Sequence, residues 1–318
     1  MQLLVVIVNY RTAALTIDCL RSLEPQIRRM RDAHVVVTDN QSPDDSVPQI
    51  GDAIRTHGWE EWLTLLPLPR NGGFAYGNNE GIRPALSSNR PPRYVLLLNP
   101  DTVVRPGALQ PMIDFLDSHP RVGIVGSRLE HPNGDAQRSA FRFPSVLSEF
   151  EGGVRVGLVS RLLRKRVVAP PVPTRACQVD WVAGASMMIR REVFDAIGLM
   201  DERFFMYYEE VDFCLRARQA GWPCWYVPQS RVVHLVGQSS GVTDVKKSTR
   251  RRPGYWFDSR KHYFLSHFGP IGKIFADSAW VLGFALHRLR RMVLRKQDND
   301  PANLLWDFIR YNFFLAGR

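Results

Sequence analysis

The stretch Tyr94-Val-Leu-Leu-Leu-Asn-Pro-Asp101 decides the fold. Its first five residues show no polar alternation, the pattern of a central strand covered on both faces. Asn99-Pro100 then ends the strand, since proline cannot donate to a ladder, and leaves Asp101 at the carboxyl end. In open α/β sheets ligands bind just outside such strand ends. A lone carboxylate there can equally cap a turn, so the flanking segments have to decide.

Upstream, residues 3–8 read as an apolar strand, and Asn9-Tyr10-Arg11-Thr12 opens a helix with Thr12 as N-cap. Residues 35–38 form a second strand that runs into Asp39-Asn40-Gln41-Ser42, which predicts a right-handed parallel crossover. Asn71-Gly72-Gly73-Phe74, continuing through Asn78, leads into another helix. Downstream, Leu109, Met112, Ile113 and Leu116 line one helical face, and 122–126 is a short strand. Residues 127–180 read as long loops with interrupted helix, and 182–189 as one small-residue strand. A helix over 209–220 and a last strand over 225–234 follow.

The formal net charge is +11, densest at 161–166, 246–252 and 288–296. Such charge attracts phosphate-bearing partners, although runs of this kind are usually solvated faces. Four scattered cysteines without C-x-x-C spacing argue against a disulfide framework or zinc site and fit a reducing compartment. The N-terminus lacks a basic leader and a cleavage site, so it reads as a strand rather than a signal. Residues 271–286 are apolar but broken by Lys273 and Asp277, short of the ~20 largely uncharged residues of a spanning helix. Merging into basic 287–296, they predict a helix lying on a membrane surface, with packing on the protein's own core as the alternative.

Four loops, 9–12, 39–45, 71–81 and 99–101, converge at one end of this expected sheet, each rich in Asn, Asp or Gly. Arg11, Asn40, Asn71, Gly72, Phe74, Asn78 and Asn99 are thereby candidates for a nucleotide site. A glycine pair lets backbone approach a ligand, and a helix N-terminus favours phosphate. Neither G-x-G-x-x-G nor a phosphate-binding G-x-x-x-x-G-K-[ST] loop is present. A diphosphate would therefore need a divalent cation on Asp101, magnesium or manganese, with His234 as a nitrogen ligand. Glu209 and Glu210 sit beside Phe204, Phe205, Tyr207 and Tyr208, and dehydration there raises a carboxylate toward general-base range. Asp212 fits an i,i+4 pair with Arg216.

Taken together these segments resemble family 2 glycosyltransferases of the GT-A fold, notably rhamnosyltransferase-like members, in ordered matches spread over residues 3–240. The resemblance implies an α/β, Rossmann-like, mostly parallel sheet flanked by helices, followed by a C-terminal helical extension. It implies a catalytic domain over 1–240, with a nucleotide-binding part (1–126) and an acceptor part (127–240), and a basic extension over 241–318. It also implies inverting transfer from a nucleoside diphosphate sugar, dTDP- or UDP-linked with rhamnose favoured, to a glycan or polyprenyl-linked hydroxyl at the inner face of the plasma membrane.

Asp39 and Asn9 would then hold base or ribose, Asp101 and His234 the metal, and Trp181, Gly184 and Ala185 the acceptor side. Glu210 falls where many members carry an Asp base, so Glu209 or Asp212 could share the role. Asn99 replaces the first acid of D-x-D. No nucleic-acid partner is expected, and a homo-oligomer is compatible. A sugar-nucleotide nucleotidyltransferase would carry a glycine-rich loop after the first strand, where Asn9-Tyr10-Arg11 stands instead. Charge alone suggests the other alternative, a nucleic-acid-binding protein.

Overall fold

The computed structural model describes residues 1–30, 32–235, 251–298 and 300–314. The expected boundary at 240 and the basic run at 246–250 lie outside the described residues. The first half comprises β1 (Leu3–Asn9), α1 (Ala13–Ile27), β2 (Ala33–Asp39), α2 (Ser46–His57), β3 (Leu63–Pro67), α3 (Gly73–Leu86), β4 (Tyr94–Leu98) and β5 (Thr102–Val104). Next come α4 (Leu109–Ser118), β6 (Ile124–Glu130), β7 (Ala140–Phe141), α5 (Val146–Val154), α6 (Gly157–Leu162), β8 (Cys177–Val179) and β9 (Trp181–Val182). β10 (Ser186–Arg190), α7 (Arg191–Ile197), α8 (Glu209–Gln219), β11 (Cys224–His234), α9 (Gly254–Val293) and α10 (Leu304–Ile309) complete the chain, with a π-helical turn at Arg310–Phe314.

The central sheet runs β3-β2-β1-β4-β10-β6-β11-β5, with β8 also paired to β11. Strands β3, β2, β1 and β4 are mutually parallel, as expected of crossovers through α1, α2 and α3. Beyond β4 the sheet becomes mixed, because β10 runs antiparallel to both β4 and β6. All five residues of β4 are buried, and the reason is its place at the centre. Leu96 and Leu98 join Leu3, Val5 and Ile7 under α1, α2 and α4, whereas Val95 and Leu97 join Leu4 and Val6 under α3, α7 and α8. At roughly 1.5–3 kcal/mol per buried apolar side chain, this packing holds the strand end carrying Asp101 rigidly. Chain order reverses at β1 and β4, the switch point where such sheets open a crevice.

Several expectations are corrected. Residues 182–189 are not one strand: β9 pairs with β7, a turn at 183–185 intervenes, and only β10 enters the main sheet. The small residues read as continuous because each half alone is apolar. Residues 127–180 are loops interrupted by the short helices α5 and α6, as expected, although β6 extends into them as far as Glu130. Thr12 occupies the N-cap position of α1, but its hydroxyl donates to Asn9 Oδ1 at 2.9 Å instead of accepting from the helix.

Helix α9 is broken at Gly269, whose φ of 68° lies in the left-handed region before Pro270. It crosses α5 where Gly153 and Gly283 meet: a Cβ on Gly283 would stand 2.6 Å from Phe150 O. Lys273 and Asp277, the charges that break the apolar run, turn inward and pair at 2.6 Å. Buried Arg260 joins them by donating to Asp277 and, through Nε and Nη2, to Glu149. Among the described residues no helix is long and apolar enough to cross a membrane.

Candidate active site

A cavity of about 520 Å³ opens at the carboxyl ends of β1 and β4. One wall is Val8, Tyr10, Thr12 and Asn40, and the floor is Asn99, Pro100 and Asp101. The turn at Ala183, Gly184 and Ala185 and the segment Phe205–Tyr207 with Glu209 and Glu210 close the opposite side. Asn71, Gly73, Phe74, His234 and Tyr255 complete the lining.

Asp101 and His234 approach one another although 133 positions separate them in the chain, their Oδ1 and Nε2 lying 3.4 Å apart. The cause is the β5–β11 ladder, which sets His234 opposite Thr102. Asp101 is 1 % exposed yet lines the cavity. A carboxylate and an imidazole converging on one space suit a divalent cation whose remaining ligands come from a bound diphosphate. No group of three or more His, Cys, Asp or Glu side chains that could hold a metal ion occurs among the described residues.

The acidic pair sits at the start of α8. Tyr207 and Tyr208 both have φ of 70°, left-handed backbone that is uncommon for bulky residues and marks a constrained turn. That turn buries the carboxylates beside the cavity. Burial pushes Glu210 up to about 7, while backbone N–H groups at the helix start and of Gly184 partly oppose the shift. Burial raises Glu209 further, and the charge of Glu210 adds to it. A carboxylate poised near neutrality can accept a proton.

Other candidates fall differently. Asn40, Asn71, Phe74 and Asn99 reach the cavity with Gly184 and Ala185. Asn9 and Asp39 lie behind it, locked together: Asn9 Nδ2 donates to Asp39 Oδ2 at 2.6 Å, and Ser42 donates its N–H and hydroxyl to the same carboxylate. Arg11 is exposed, and its backbone N–H donates to Ser42. Asn78 Nδ2 donates to Phe74 O within α3. Asp212 is committed to Arg216 and His267, and Trp181 donates to Arg142 O while stacking on Phe141.

Of the glycine pair, Gly73 lines the cavity. Gly73, at φ 83°, presses on protein: a Cβ there would lie 1.8 Å from Phe205 O, which accepts from Phe74 N. Gly72 is not in the lining. Its removed side chain makes room for Tyr76. Gly73 thus docks the acidic segment onto the start of α3.

Sequence reasoning missed Tyr255, which lines the cavity from α9 and packs against Phe205 and Tyr207. Nothing in its local pattern announces this.

A parallel nucleotide-type half, a mixed second half and a cleft between them that holds both an acidic strand end and an acidic helix start define a GT-A glycosyltransferase fold. A family model described as "Glycosyltransferase like family 2" matches residues 2–254, and the chain belongs to that family. An N-acetylglucosaminyl-diphospho-decaprenol L-rhamnosyltransferase of Mycobacterium tuberculosis is 30% identical over 226 residues, 66% of this chain and 69% of the relative. Rhamnosyltransferase WbbL of Escherichia coli is 30% identical over 168 residues, 52% of this chain and 61% of the relative. Within its family the chain is thus rhamnosyltransferase-like.

Among solved structures, GalNAc-T7 with UDP, GalNAc and Mn2+ aligns over 93% of this chain and 55% of its own, at TM-score 0.57 and 15% identity. The mannosyltransferase PcManGT of Pyrobaculum calidifontis, in complex with GDP-Man and Mn2+, covers 92% and 75% at TM-score 0.55 and 16% identity. These two support the fold alone.

Proposed function

We propose that this glycosyltransferase is an inverting, metal-assisted enzyme. It would move a sugar, rhamnose from a dTDP donor in the favoured reading, onto a hydroxyl of a glycan or lipid-linked glycan. The observation that carries the reading is the placement of Glu210, pushed up to about 7, in one cavity with Asp101 and His234. Relatives named as rhamnosyltransferases support the sugar and the polysaccharide setting, and work at the cytoplasmic membrane face belongs to the same reading.

Asn40, Asn71 and Asn99 orient the donor, and Ala183 to Ala185 form the acceptor wall. Glu210 takes the proton of the acceptor hydroxyl as its oxygen bonds to the anomeric carbon. The bond from that carbon to the diphosphate breaks on the opposite face, so configuration inverts. Asp101 and His234 would hold a divalent cation, which supplies positive charge for the leaving diphosphate. Asp212 is assigned a structural part, the catalytic domain runs through the cavity-lining elements, and α9 serves as its integral wall.

The test is diphosphate release from a panel of nucleotide sugars with manganese, magnesium or chelator, for wild type, Asp101→Asn and Glu210→Gln. The reading expects one preferred donor, loss with chelator and loss in both variants. Full activity in both would sink the residue assignments.

A further inference from the structure

We propose that the outer face of α9 beyond Gly269 is an interfacial docking surface for an anionic lipid bilayer. The argument begins from an inverted polarity. Between residues 270 and 287 the acid and the lysine both turn inward: Asp277 has no exposed surface and pairs with Lys273, which also donates to Asn312 O. His287 is buried too. What remains outside is apolar apart from Ser278. Ile271 is 71% exposed, Phe275 61%, Leu282 57% and Val293 73%, with Leu286 and Leu289 between them.

At 100° per residue these six side chains fall within about 60° of arc, as a stripe roughly 33 Å long. The opposite side carries Ala276, Trp280, Phe284 and the paired charges against α5 and α10. A helix that only covers its own core shows the reverse, polar outside and apolar inside. A continuous exposed apolar stripe marks a surface that meets an apolar phase.

The flanks identify that phase. By helical geometry Arg288, 3.8 Å from Asp298, and half-buried Arg290, which donates to Arg155 O, lie at the sides of the stripe, and exposed Arg295 and Lys296 follow it. Phe313, whose ring lies 5.5 Å from Lys273 Nζ, and Phe314, 74% exposed, border its first turn. Apolar side chains between basic flanks suit acyl chains beneath anionic head groups. A second copy of a chain with net charge +11 would instead bring like charges together. The surface rests on the sugar-transfer reading only for its purpose, which is to present the cavity to a lipid-linked acceptor.

The experiment is flotation of the full chain with phosphatidylcholine vesicles containing phosphatidylglycerol, comparing wild type with the double variant Phe275→Glu, Leu282→Glu. Wild type is expected to float and the variant to partition at least about ten-fold less, with unchanged thermal melting because both sites are exposed. Should melting fall, Arg295→Glu with Lys296→Glu, outside the helix, decides by loss of binding to the same vesicles. Absent flotation of wild type, or equal flotation of the variants, overturns the proposal. So does a wild type that sediments as a dimer and binds no lipid while the double variant is monomeric, which assigns the face to a second copy. Flotation needs no turnover: lost binding with donor consumption intact removes this surface alone, and inactivity with intact binding removes sugar transfer alone.

Discussion

His267 Nε2 lies 2.7 Å from Asp212 Oδ1, so a residue of α9 grips the helix that carries Glu210. The other oxygen of Asp212 accepts from Arg216 Nε at 2.8 Å, and Arg216 in turn donates to Ile197 O and Leu199 O. Two further ties reach the same acidic segment, Ser259 Oγ donating to Met206 O and His262 Nε2 at 2.9 Å from Asp201. The C-terminal helix is therefore a brace for the cavity.

Replacing His267 by Ala should loosen that brace. A positioning role predicts kcat lower by about ten-fold, since small misplacements of a reacting group are costly, with donor KM nearly unchanged. His267→Gln, which keeps a donor, should recover most of the loss. A raised KM with intact kcat would instead assign His267 to donor binding.

Glu210 sets an acid limb on the pH profile. A base must be ionised to act, so kcat/KM is expected to rise with pH through about 7. Stability should move oppositely. A carboxylate raised from 4.5 to about 7 contributes stability below pH 4.5 that is lost as pH rises through 7. That loss is roughly 3 kcal/mol at 1.36 kcal/mol per unit. Glu210→Gln should therefore lose about 10²–10⁴ in kcat yet melt higher than wild type at pH 8. Calorimetry beside a rate assay checks both signs.

Asp101 and His234 are expected to share one ligand. Adding manganese with a nucleoside diphosphate should stabilise wild type by about 2.7 kcal/mol at one hundred times Kd. Asp101→Asn and His234→Ala should each abolish most of this shift without lowering the ligand-free melting temperature. An undiminished shift in both would remove the cation from this place.

Gly73→Ala should be far worse than Gly58→Ala. Both glycines have positive φ, but a Cβ at Gly58 meets nothing within 4 Å. At Gly73 it would meet Phe205 O. Gly58→Ala should cost on the order of 1 kcal/mol, whereas Gly73→Ala should cost several and displace the acidic segment. Urea melts of the two variants compare them directly.

Arg260 is buried between Glu149 and Asp277. Arg260→Met strands Glu149 and leaves Asp277 with Lys273 alone, which should cost about 3–5 kcal/mol. Replacing Arg260, Glu149, Asp277 and Lys273 together by apolar residues of matching volume should restore much of that loss, as equilibrium unfolding would show.

Strand β4 and Asp101 were legible because a strand buried on both faces has an unmistakable apolar run. The glutamate pair was legible because aromatic neighbours foretell dehydration. The break at 183–185 was not, since small residues extend a strand or turn it with equal ease. The bond between Asn9 and Asp39 was invisible for a related reason. The pattern shows polar groups at strand ends, but only packing shows that theirs face one another behind the cavity.

The sequence by itself determined the parallel half of the sheet, the family, and the residue types that crowd the cleft. These follow from local periodicity and from where strands stop. Tertiary structure alone decided which groups meet. It set His234 beside Asp101 through a ladder between distant strands, and it brought Tyr255 and His267 from the C-terminal helix to the acidic segment. It also turned Lys273 and Asp277 inward, where they pair with each other and find Arg260 and Asn312 O as further partners. Charges in a sequence carry no direction, and the partner that fixes their direction lies far along the chain.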